Sequence, residues 1–196
     1  MTFSLFLPMA MFALAASISP GPVNLVCLGS GLHHPPLRGL RFVTGASIGF
    51  VLLFMAIGLG LYGLLQARPG LLHTLHWAGI GFLLYMSVRL ATASGELPVP
   101  GSDRAPGLLA GALMQWLNPK AWLASASGIA AYTNGGMEQI GWFALIYLPI
   151  CWCSLACWVW LGNGLRRHLN NDRWLAWLNR LLALLLAASC LYLLRY

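Results

Sequence analysis

Six apolar stretches follow one another along the chain, at about 8–31, 42–65, 71–90, 107–132, 140–161 and 174–194. Each is near the ~20 residues that a helix needs to cross a bilayer. The polar intervals between them are short. At 33–41, Pro35-Pro36 reads as a stop, with Arg38 and Arg41 as anchors, and 66–70 reads as a turn. The most polar interval, 93–106, holds Glu96, Asp103, Arg104, three prolines and two glycines, and lies at the midpoint of the chain. The last, 166–173, is a basic loop. The pattern predicts an all-α integral membrane protein with six transmembrane helices.

Two of these stretches are interrupted. Ser19-Pro20-Gly21-Pro22-Val23-Asn24 breaks the first, and Leu117-Asn118-Pro119-Lys120 breaks the fourth and contains the chain's only lysine. Inside a bilayer each freed N–H and C=O must find a partner, so a break persists only against protein or a polar cavity. The breaks are in register: Pro119 stands 99 positions after Pro20. The same offset carries Gly39, near the start of the second stretch, to Glu138 before the fifth. It carries Leu71, opening the third, to Asn170 before the sixth. The reading is therefore one transmembrane domain, 1–196, made of a repeat at 1–92, a linker at 93–106 and a repeat at 107–196. With three spans each, the repeats lie upside-down to one another, as in many secondary carriers. Helices 1 and 4 are the interrupted ones. Gly45 and Gly49, and again Gly107 and Gly111, carry the spacing that lets helix backbones approach closely.

Composition sharpens this picture. Charged residues make up 8% of the chain, against roughly 25% in soluble domains. The net charge of +7 comes from single arginines in short loops, which is topology control and not the clustered basic face of a nucleic-acid binder. Seven arginines (38, 41, 89, 104, 166, 167 and 173) follow the odd-numbered spans, and two (68 and 195) lie on the other side. The positive-inside rule then puts the first group in the cytoplasm and both termini outside. The N-terminal run lacks a positive leader and reads as a retained first helix. The five cysteines fall in apolar stretches with no C-x-x-C, so no zinc site or dithiol motif is expected. His73 and His76 read as an interfacial pair, not as a metal site, and the tryptophans read as interfacial anchors and packing.

Each break is also a helix start. Asn118 before Pro119 has the form of an N-cap before a proline at the first helical position, and Ser19 or Gly21 serves the same role before Pro22. A helix N-terminus attracts anions. Ten residues from Leu108 to Asn118 span about 15 Å of helix, near mid-membrane. Two positive helix ends with Lys120 could hold a carboxylate there, while freed carbonyls, Asn24 and Gln115 accept from an ammonium group. Plainer readings stand beside this one. Proline kinks often serve packing alone, Asn24 and Gln115 are suited to helix–helix hydrogen bonds, and Lys120 could snorkel or cap the freed carbonyls of the first span. All four acids, Glu96, Asp103, Glu138 and Asp172, fall in loops or at span ends, so proton coupling through a mid-membrane carboxylate is not expected.

These residues resemble the bacterial lysine-exporter/homoserine–threonine-exporter (LysE/RhtB) family of amino-acid exporters. The resemblance lies in residues 19–24, in the 79–85 stretch Gly-Ile-Gly-Phe-Leu-Leu-Tyr, and in Gly111 with Leu117-Asn118-Pro119-Lys120-Ala121. Residues 115–120 and 179–186 are most like the cysteine/O-acetylserine exporter branch. Many members have a polar or acidic residue where this chain has Phe50, and aromatics where it has Trp122 followed by Ala124-Ser125. The resemblance implies a bacterial inner-membrane protein, not an enzyme, that exports amino acids or close derivatives, driven by the proton-motive force. The expected substrate-binding residues are Ser19, Pro20, Gly21, Pro22, Asn24, Gln115, Asn118, Pro119 and Lys120. Expected partners are a small amino-acid substrate and membrane lipid, with no nucleic acid, metal or cofactor; a homo-oligomer is left open. The alternatives are an ion or heavy-metal exporter of a related superfamily, a thiol electron carrier, and a purely structural membrane subunit.

Overall fold

The computed structural model describes residues 5–61, 67, 69–92, 106–168 and 172–193. Arg68, Arg104, Arg195, Glu96 and Asp103, almost all of the 93–106 linker and the end of the second predicted span lie outside the described residues. The side chains of Arg89, Arg167, Arg173 and Asp172 do so too. Eight helices make up the described chain: α1 (Phe6–Ile18), α2 (Pro22–His33), α3 (Pro36–Gly58), α4 (Pro69–Ala91), α5 (Leu108–Trp116), α6 (Pro119–Tyr132), α7 (Met137–His168) and α8 (Asp172–Leu193). No strand occurs among the described residues. Helix α3 and the body of α7 are long and apolar enough to cross a membrane, and the bent pair α1–α2 makes a third candidate.

Both interruptions are present where the prolines predict them. Helices α1 and α2 meet at an angle of 60°, while α5 stops at Trp116 and α6 restarts at Pro119. Other boundaries differ from the sequence reading. Pro36 opens α3 instead of stopping a span, because a proline at the first helical position gives up an N–H that is unpaired there anyway. Arg38 and Arg41 therefore ride on α3 and not in a loop. That helix closes at Gly58, followed by Gly60 at φ 95°, well short of residue 65. Helix α7 runs through Gly162-Asn163-Gly164 to His168, so Arg166 and Arg167 sit in its last turns and not in the connecting loop.

The packing exchanges the two halves of the chain. The interrupted helix of the first half, α1 and α2, packs on α7 of the second. The interrupted helix of the second half, α5 and α6, packs on α3 of the first, and α4 packs on α8. Phe42, Leu53 and Phe54 of α3 and Ile140, Phe143 and Tyr147 of α7 are among the largest fully buried side chains, so these two helices form the core on which the broken ones lie. Leu7, Leu14, Leu52, Leu109 and Leu145 point outward, the pattern expected where lipid takes the place of water.

Small residues set the closest crossings. A Cβ at Gly45 or Gly111 would overlap the backbone of the other helix, at Leu108 and Phe42 respectively, and one at Gly49 would come 2.6 Å from Ala112 Cα. The predicted Gly107 has open space around it and caps α5 instead. A second crossing brings Gly31 of α2 against the Val159 carbonyl and Gly162 of α7 against the Leu28 carbonyl. This explains why Gly162 continues α7: it is a contact surface, not a terminator.

Candidate functional site

A broken span is costly because its carbonyls lose their helical donors; each buried polar group left unpaired costs about 1–3 kcal/mol. At the first break every carbonyl from Ala15 to Gly21 has a donor. Ser19 closes α1, with its N–H on Ala15 O (3.3 Å) and its hydroxyl on Ala16 O (3.2 Å). Asn24 Nδ2 donates to Ser17 O at 2.8 Å, and Trp158 Nε1 of α7 donates to Ile18 O at 3.1 Å. Lys120 Nζ reaches across from α6 to Ser19 O at 2.6 Å and Pro20 O at 3.3 Å. Leu25 N completes the set on Gly21 O at 3.0 Å. The lysine of one break therefore supplies the donors that the other break lacks.

Gly21 makes room for this. Its backbone is extended, so no unusual dihedral is needed, but a Cβ there would lie 2.9 Å from Lys120 Cδ and 3.1 Å from Nζ. Gly21, and not Ser19, is the N-cap of α2, with Pro22 in the first turn. Proline has no N–H and Leu25 bonds to Gly21, so the N–H groups of Val23 and Asn24 are the ones with no intrahelical acceptor. At the second break Asn118 is the N-cap as the sequence indicates: its Oδ1 accepts from Lys120 N at 3.2 Å. Its Nδ2 lies 3.5 Å from Gln115 Oε1, and Trp122 Nε1 donates to Trp116 O at 2.7 Å.

Between the two breaks lies a cavity of about 30 Å³, room for roughly two waters. Of the nine predicted site residues, Asn24, Gln115, Asn118 and Lys120 line it. Ser19 and Pro20 join through their carbonyls to Lys120, and Gly21 through its clearance. Pro22 and Pro119 open the two helices without lining the cavity. No carboxylate lines it. A cation and two helix N-termini therefore converge on a small, mainly apolar cavity with no carboxylate in its lining, an arrangement that suits a carboxylate from outside the protein.

The sequence reading missed the rest of the lining. Ser17 comes from α1, just before the first break, while Phe50 of α3 and Tyr147, Cys151 and Leu155 of α7 sit on uninterrupted apolar stretches that carry no local signal. Trp122 and Trp158, read as anchors and packing, each donate to a carbonyl freed by a break. Asn179 is also buried, paired with His33 Nε2 at 2.8 Å, and ties α8 to the end of α2 away from the cavity.

Asn118→Ala removes a buried cap and is expected to cost about 0.5–2 kcal/mol. The thermal midpoint of the purified protein in detergent should fall; an unchanged midpoint would mean that this cap does not hold α6.

Residues 14–196 match the family model described as LysE type translocator. The cysteine/O-acetylserine efflux protein of Salmonella typhimurium (strain LT2) is 23% identical over 184 residues, covering 89% of this chain and 90% of the relative. Its namesake in Salmonella typhi is 24% identical over 183 residues, with the same coverage. That of Escherichia coli (strain K12) is 23% identical over 160 residues, covering 80% and 81%. No solved structure matches the chain.

Proposed function

The chain belongs to the LysE family of translocators, and from that premise we propose that it is a secondary exporter of small amino acids or close derivatives in the bacterial cytoplasmic membrane. The observation that carries this is the bridge from Lys120 Nζ to the Ser19 and Pro20 carbonyls, inside a cavity bounded by two helix N-termini. A substrate carboxylate would take the ammonium of Lys120 together with the free N–H groups of Val23 and Asn24. The substrate ammonium would take the carbonyls that Lys120 releases. The zwitterion thus replaces an internal bridge by two of its own. This suits amino acids as cargo, in line with the efflux named for the relatives.

We further propose six spans in two inverted repeats, working by alternating access and driven by the proton-motive force. The exchange of broken helices between halves supports the repeat, since α1–α2 on α7 mirrors α5–α6 on α3. In this conformation the cavity, about 30 Å³, is too small for an amino acid, so transport requires it to widen. The arginine count supports periplasmic termini. Arg180, inside the sixth predicted span, agrees, because its neighbour Asn179 meets His33 on the side where α2 ends. A periplasm-active reporter fused after Tyr196 should therefore be active and a cytoplasm-active one silent; the reverse would overturn the orientation and the six-span count.

Counterflow of a labelled amino-acid panel into vesicles holding the purified protein tests the function. Exchange of at least one small amino acid is expected. Movement of cadmium with no amino-acid exchange would instead favour a metal exporter.

A further inference from the structure

We propose that Phe50 and Tyr147 form the wall of the cavity that sets the length of the substrate side chain, restricting the cargo to amino acids with short side chains; this rests on the exporter reading above. The cavity has two chemically distinct parts. The groups suited to a carboxylate and an ammonium come from the broken helices: Asn24, Gln115, Asn118 and Lys120, with the helix ends. The unbroken helices α3 and α7 contribute Phe50, Tyr147, Cys151 and Leu155, of which the two rings are the bulkiest. A zwitterion held by the first set must direct its side chain toward the second.

That wall is stiff. The Phe50 and Tyr147 rings lie 4.5 Å apart between centroids and are 4% and 1% exposed. Behind them, Phe54 stands 6.2 Å from Phe50 and 5.7 Å from Tyr147, and Phe143 stands 5.6 Å from Tyr147 and 5.1 Å from Phe54. Phe54 and Phe143 are fully buried. Rings backed by rings at interior packing density cannot retreat without opening a void elsewhere. Moving Lys120 aside therefore makes room at the zwitterion end, while the side-chain end keeps its limit. Gly49, next to Phe50, is packed on Ala112 of α5, so α3 cannot move closer to α5.

One methylene in an apolar pocket is discriminated by roughly 10–200-fold, so shortening the wall should relax selection on that scale. The test is counterflow by the full-length protein in vesicles, with serine and leucine at equal subsaturating concentrations. The serine-to-leucine flux ratio does not depend on how much protein inserts. Wild type should prefer serine strongly, Phe50→Ala should lower the ratio at least ~10-fold, and the milder Phe50→Leu should lower it less. If Phe50→Ala does not fold, Phe50→Leu decides. An unchanged ratio in the variants, or a wild type that moves leucine as well as serine, overturns the wall and leaves the exporter reading standing. A wild type that moves no amino acid overturns both.

Discussion

Lys120→Met is expected to leave an inserted, folded protein that no longer binds substrate. Methionine keeps most of the apolar stem and removes the ammonium that bridges Ser19 O and Pro20 O. Removing one partner of a buried charge-assisted pair costs about 2–5 kcal/mol of binding, a loss of at least ~30-fold in affinity. The part-buried Ser19 carbonyl left without a donor also costs stability, about 1–3 kcal/mol unless water from the cavity reaches it, while the exposed Pro20 carbonyl costs less. Lys120→Arg keeps the charge and should retain part of the binding. Direct binding of a transported amino acid to the purified variants checks this. Wild-type affinity in Lys120→Met would reduce the lysine to a cap on the first break.

Adding one methyl group at either of two glycines should have opposite kinds of effect. At Gly111 the new Cβ would run into the Phe42 carbonyl and come within 2.7 Å of Ala46 N. Backbone atoms cannot turn away, so α3 and α5 must separate, at a cost of about 1–3 kcal/mol or more. At Gly21 the new Cβ meets the flexible end of Lys120, which can move. Gly111→Ala should therefore lower the thermal midpoint and the folded yield. Gly21→Ala should lower both less, by no more than the loss of the bridge itself, and lose transport, because it displaces the bridge. Equal midpoints for the two variants would mean that α3 and α5 do not cross as closely as Gly45, Gly49 and Gly111 imply.

The breaks were legible in the sequence because proline and glycine act locally: Pro22 and Pro119 fix helix starts, and Asn118 caps its own helix. Lys120 was legible because a charge inside an apolar run is conspicuous. Its partner was not, since the carbonyls it meets lie about a hundred positions away in the chain. Helix ends were misread wherever one residue type serves two purposes. Pro36 opens a helix where it read as a stop, and Gly162, one residue past the predicted end of the fifth span, packs against α2 within α7. The α3 and α7 side of the cavity left no trace in the pattern; Phe50 stood out only against the family resemblance, and Tyr147 did not stand out at all.

Whether the site recognises a carboxylate is decided by competition between an amino acid and its own decarboxylated amine. With a transported amino acid labelled inside vesicles, unlabelled serine and ethanolamine, or cysteine and cysteamine, differ only in that group. The amino acid should drive counterflow, and the amine should neither drive nor block it at concentrations tens of times higher. An amine that competes as well as its amino acid would contradict a carboxylate bound by Lys120 between the two helix ends.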